Sequence, residues 1–221
     1  MSAINKGLEW ITRMAYVNIL WLIFLLPGLV VFGVFPATAA MLTIIHQWLQ
    51  GKTDISIFGT FLETYKKEFI NSNKLGYMFV LLGYILYLDF LFLTAAPDAA
   101  LYLTIPFLII TSFAFSAGLY AFPMLVHYEM KPLQIVKRAF FIMMLNPCQT
   151  FLMLIGTMGA GSMLWYFQGL ALFFSFSILA LIIMMPAARA FERMEKKSAN
   201  LQAKENQSVL TKQQRKGGAM L

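Results

Sequence analysis

Charge is what this chain has least of. Only 12% of its 221 residues are Asp, Glu, Lys or Arg, against the ~25% usual in soluble domains. None lies between Met14 and Gly51, and none between Ala139 and Ala188. From Leu75 to Ala96 the one charged residue is Asp89. Scarce charge does not mean disorder here, because 60% of the residues are hydrophobic and 15% aromatic, the reverse of a disordered composition. The mean hydropathy of +0.71 places the chain in the membrane class. Cysteine is almost absent too. Cys148 stands alone, so no intrachain disulfide can form and no oxidising compartment is needed. There is no cysteine pair and no His-Glu-x-x-His for a metal, no phosphate loop and no Gly-x-Ser-x-Gly elbow. No enzyme, cofactor or metal is expected. The formal charge of +7 would suggest nucleic acid in a soluble protein. Here the basic residues flank the apolar runs, which points to a membrane surface instead.

What is present is a series of membrane-length runs. Met14–Gly51 as one helix would be ~55 Å long, too long for a ~30 Å hydrocarbon core. It therefore reads as a hairpin of two segments, about 14–34 and 36–50. Gly33 ends the first and Pro36 opens the second. Further segments follow at about 75–96, 101–126, 147–166 and 170–188. Asn146-Pro147 starts or kinks the fifth, and Gln168-Gly169 turns into the sixth, unless the chain turns earlier at Gly159–Ser162. Residues 2–13 read as an amphipathic lead-in. A cleaved secretory signal is not expected, because the apolar run is too long and continues past Ala37-Thr38-Ala39. Phe58, Phe61, Leu62, Tyr65 and Phe69 recur at helical spacing, so Ile55–Ile70 reads as an amphipathic surface helix. Residues 1–188 thus form one domain, an all-α polytopic transmembrane bundle. Residues 189–221 carry eight Lys/Arg against three Glu without apolar periodicity, and read as a disordered tail after a short helical extension.

Six passages put both termini on one side. All 17 Lys and Arg then fall on that side, which the positive-inside bias makes cytoplasmic. The expected location is the cell membrane.

Asp89 is the acid inside a span, and such acids are functional-site candidates by default. Its place in the outer third, near water, makes a solvated carboxylate the more ordinary reading. Pro27-Gly28 breaks the first segment near its midpoint. Broken helices at the midplane hold ligands in many transporters, yet Pro and Gly are ordinary in membrane helices. On the structural reading, replacing the pair by Ala-Leu leaves the fold intact. His46, His127 and Glu129 could meet at the cytoplasmic edge, without a metal motif. Gly156 with Ala160, and Gly76 with Gly83, are spaced for close packing, within the chain or in a homo-oligomer.

Tyr16-Val17-Asn18-Ile19-Leu20-Trp21, Gly28-Leu29-Val30-Val31-Phe32-Gly33 and Pro36-Ala37-Thr38-Ala39-Ala40 together resemble the N-terminal signature of the YesL family of bacterial membrane proteins. The loop Thr60–Phe69, Asn73-Lys74-Leu75-Gly76 and Asn146-Pro147 agree with it. The resemblance covers most of the chain outside the tail. It singles out Asn18, Trp21, Pro36 and Thr38 beside Pro27 and Gly28. The family has no established activity, and its members often accompany carbohydrate uptake and polysaccharide breakdown. The resemblance therefore implies an accessory component beside a carbohydrate ABC-type uptake complex. The alternative is a small secondary transporter with a substrate path at the Pro27-Gly28 break.

Overall fold

The computed structural model describes residues 3–95, 97–128 and 130–218. Among them every regular element is helical: α1 Ala3–Leu25, α2 Val34–Leu49, α3 Ile57–Lys67, α4 Phe69–Ala95, α5 Pro97–His127, α6 Pro132–Leu145, α7 Pro147–Tyr166 and α8 Gln168–Gly218. Ala96 and Glu129 lie outside the described residues. Four helices are long and apolar enough to cross a membrane, over Gly7–Leu25, Phe69–Ala95, Tyr102–His127 and Phe174–Lys204. The α6–α7 pair, bent by 100°, makes a fifth candidate, and α2 is a shorter apolar helix. The chain is thus a helical membrane bundle, with α2 and the bent pair departing from a plain set of six spans.

The first departure is the hairpin. The lead-in and the first apolar run form one helix, α1, which stops at Leu25. Pro27 disfavours a helical conformation at the residue before it and brings no N–H. The reversal occupies residues 26–33. Leu29 and Val30 have φ of 50° and 62° there. Gly28 and Gly33 approach so closely that a Cβ on Gly28 would strike the Gly33 backbone, and one on Gly33 would lie 2.7 Å from the Leu25 carbonyl oxygen. Pro27-Gly28 is therefore the turn of the hairpin and not a break at the middle of a span. The expected boundary at Gly33–Pro36 falls instead inside the start of α2, with Pro36 buried in its first turn.

α2 is the element the others surround. Ala37, Ala39, Ala40, Ile44 and Ile45 have no exposed surface. The alanines let neighbouring backbones approach, as small residues do in membrane bundles. Its 16 residues give ~24 Å of helix, short of a ~30 Å core.

α3 is narrower than the expected Ile55–Ile70. Ser56 caps it, its hydroxyl accepting from Gly59 N–H at 3.4 Å. Its apolar face is used internally, with Phe61 and Tyr65 buried. The Phe24 ring lies 5.0 Å from Phe61 and 5.1 Å from Tyr65. Phe69 already belongs to α4.

The second departure is the tail. The helical extension expected to be short beyond Ala188 runs on as part of α8 to Gly218. After Pro186 the segment contains no proline, and Ala, Glu, Lys, Arg and Gln, all strong helix formers, dominate it. Its first turns are core: Ala187, Ala190 and Phe191 are fully buried. α8 enters both apolar clusters. Ala180 and Met184 join α1–α3 residues such as Val17, Ile44 and Phe61. Ala187, Ala190 and Phe191 join Leu75, Tyr120, Ile135 and Met153.

Candidate functional site

Four of the residues singled out by the sequence meet around one junction of α1, α2 and α8. Asn18 is fully buried. Its Oδ1 accepts from the backbone N–H groups of Phe176 and Ser177, at 3.2 and 3.3 Å. One helical turn on, the Trp21 indole N–H donates to the Thr38 hydroxyl at 3.1 Å. Thr38 in turn donates to the Val34 carbonyl at 2.7 Å. The Trp21 ring stacks on Phe176 with centroids 3.8 Å apart. Pro36 lies in the same first turns of α2. A recess of about 230 Å³ opens beside Trp21, Thr38 and Phe176, floored by Gly118, Leu119 and Phe122 of α5. The polar groups described at this junction bond to the chain itself, which makes it a lock between helices. In a low-dielectric interior such bonds are expensive to leave unmade.

Pro27, exposed, and Gly28, buried against Gly33, stand apart from that junction, in the hairpin turn. Leu26, Leu29, Val31 and Phe32 around them are 70%, 80%, 60% and 49% exposed. The turn is tied to α4: the Asn73 amide donates to the Phe32 carbonyl at 3.0 Å, and the Tyr77 hydroxyl to the Val31 carbonyl at 3.3 Å. Asp89 is remote from both places. It lies exposed on α4, beside an apolar recess whose α5 wall is Leu103, Pro106, Phe107 and Ile110.

A second polar constellation gathers the ends of α2 and α5 against the middle of α8. His127 Nδ1 lies 3.1 Å from His46 Nε2, and His127 Nε2 lies 3.0 Å from Glu195 Oε1. The Tyr128 hydroxyl donates to the same carboxylate oxygen at 2.9 Å. Gln50 Nε2 is 3.3 Å from His46 Nε2. A carboxylate only accepts, so His127 Nε2 carries the proton. The hydrogen bond from His127 holds Glu195 below the usual carboxylate range, aided by Tyr128. Burial pushes the Tyr128 phenol up, and the neighbouring Glu195 adds to the effect. The two histidines meet as expected. Glu129 lies outside the described residues, and the carboxylate observed is Glu195, from the segment read as a disordered tail. One signal could have found it: Ala187, Ala190, Phe191 and Met194 continue an apolar stripe at three- and four-residue spacing beyond Ala188. Among the described residues no group of three His, Cys, Asp or Glu side chains is placed to hold a metal ion.

Comparison with known proteins covers the α1 and α2 side of the junction and most of the chain. A family described as protein of unknown function, DUF624, matches residues 14–90. The uncharacterized protein YesL of Bacillus subtilis (strain 168) is 36% identical over 196 residues, covering 89% of this chain and 93% of its own. YteU of the same organism is 39% identical over 78% of each chain. YesV, also from that organism, is 34% identical over 88% of this chain and 94% of its own. No solved structure matches.

Proposed function

The chain belongs to the YesL family, and from that premise we propose that it is a non-catalytic accessory membrane protein that docks a carbohydrate ABC-type uptake complex. One observation carries the reading. α8 does not end with the apolar bundle but continues from it as an exposed helix, with Lys196, Lys197, Leu201 and Lys204 all on the surface. The Glu195 carboxylate, held by His127 and Tyr128, fastens the base of that helix to α5. A helix anchored at its base, with exposed side chains at Lys196, Lys197, Leu201 and Lys204, is suited to a partner. α3, the other amphipathic candidate, turns its apolar face inward instead. The carbohydrate assignment rests on the family resemblance. The competing transporter reading needs a broken span at Pro27-Gly28, and that pair lies in the hairpin turn.

Purification in mild detergent from the native host tests this. Subunits of an ABC-type sugar importer should copurify with the full chain, and truncation after Ser198 should release them while the bundle still elutes as a single species. A protein that emerges alone and moves a sugar or an ion when reconstituted in liposomes overturns the proposal.

A further inference from the structure

A sharp corner lies at Asn146-Pro147, where α6 and α7 meet at 100°. Pro147 has no N–H, so the Met143 carbonyl lacks its usual i+4 donor. The Thr150 hydroxyl stands near it at 3.4 Å and bonds more closely to the Asn146 carbonyl, at 3.1 Å. The Tyr120 hydroxyl, fully buried on α5, lies 3.1 Å from the Thr150 hydroxyl. Buried polar groups are thus concentrated where the helix is interrupted, the arrangement that forms ligand sites in membrane proteins.

Beside this corner lies a recess of about 310 Å³ between α5 and the start of α7, at the lower end of the range for small-molecule sites. Ser112, Ser116 and Thr150 supply hydroxyls, Phe113 and Phe151 supply aromatic walls, and no charged residue lines it. Ser116 is 5% exposed. It lines the recess. A hydroxyl on the wall of an otherwise apolar recess offers a hydrogen bond to a ligand that brings a matching group. The mouth opens past Met144 and Phe151, which are 55% and 65% exposed on the apolar outer surface. A ligand therefore reaches the recess from the hydrocarbon. A charged group would find no counter-charge there and would not be buried.

We propose that the recess at the α6–α7 corner binds an uncharged amphiphile from the bilayer, a hydrocarbon chain bearing a free hydroxyl, with Ser116 bonding that hydroxyl. The proposal does not depend on the docking role of α8.

The test uses the full chain in phosphatidylcholine vesicles containing a diacylglycerol with a photoreactive group in one acyl chain. A phosphatidylcholine carrying the same photoreactive chain is the control. Crosslinks from the diacylglycerol should concentrate in residues 112–116 and 143–154 and exceed those from the control. Ser116→Ala, which removes one neutral hydrogen bond, should lower the specific labelling about three- to tenfold. Ser112→Leu, at an exposed position on the rim, should block it sterically. Equal labelling by both lipids overturns the proposal. So does specific labelling that survives Ser112→Leu, whose exposed position keeps the test decisive even if Ser116→Ala does not fold.

Discussion

At the scale of single residues, Asn18 shows how this membrane protein uses a polar group it cannot hydrate. Its Oδ1 takes two successive backbone N–H groups from a helix 158 and 159 residues away. Replacement by Leu is close in size but removes the acceptor that ties α1 to α8. The net loss of such a hydrogen bond costs about 0.5–1.5 kcal/mol. Asn18→Leu should therefore lower the thermal unfolding midpoint of the detergent-solubilised protein, whereas Asp89→Leu, on an exposed helix face, should not. Equal midpoints for Asn18→Leu and the wild type would show that the junction is not the lock described. The sequence marks Asn18, Trp21 and Thr38 through a family resemblance, but it cannot show Phe176 and Ser177 as their partners. Such pairing is set by how α8 packs, and no local pattern encodes a contact over that separation. Glu195 was hidden for another reason. A charged residue just past an apolar run looks solvated, unless the buried stripe of Ala187, Ala190 and Phe191 is seen to continue through it.

At the scale of elements, the turn at 26–33 separates what propensity can and cannot tell. Pro, Gly and a second Gly in one apolar stretch announce an interruption. Their order along the chain does not say which glycine breaks the helix, because both lie in one turn and face each other. The distances decide it. A Cβ at position 28 would lie 2.9 Å from the Phe32 carbonyl carbon and nearer still to Gly33, and both are backbone that cannot rotate away. Overpacking of this kind costs about 1–3 kcal/mol. Replacing Pro27-Gly28 by Ala-Leu should thus disrupt the hairpin, contrary to the expectation for a simple kink. Pro27→Ala alone, which introduces no clash with Gly33, should be the milder change. Monodispersity and thermal midpoint of the two variants distinguish these outcomes, and a double variant as stable as Pro27→Ala would show that the glycine contact is dispensable. α8 teaches the converse lesson. Its composition after Ala188 is helix-forming but lacks long apolar periodicity, so disorder was the natural reading. An existing helix that needs only to be extended avoids the costly nucleation step.

At the scale of the molecule, the hairpin raises a question of depth that counting apolar runs does not answer. The beginning of α1 meets the end of α2, through Trp10 against Trp48 and the Arg13 guanidinium on the Thr53 carbonyl at 2.7 Å. The end of α2 meets the end of α5 at His46 and His127. The start of α4 belongs to the same end of the bundle, since Lys67 and Asn71 share a polar recess with Tyr128 and Lys131. If α1 and α2 crossed the membrane, their turn would lie beside the far half of α4, near Asp89. Instead it is bonded to Asn73 and Tyr77 in the first turns of α4. Phe35, at the start of α2, stacks on Phe122, only five residues from His127, ~8 Å along α5. A helix ~24 Å long that covers so little depth must lie steeply tilted. On this packing the hairpin is expected to enter and leave on one face of the membrane, with Leu29 and Phe32 at the hydrocarbon edge. The parity of crossings is the same either way, which is why the charge distribution alone could not separate the two arrangements. A single cysteine settles it. With Cys148 replaced by Ala, Leu29→Cys should react with a membrane-impermeant maleimide only from the side that also labels Lys74→Cys, and more slowly than that control. Labelling of Leu29→Cys from the opposite side would establish a pair of full spans and displace the dipping hairpin.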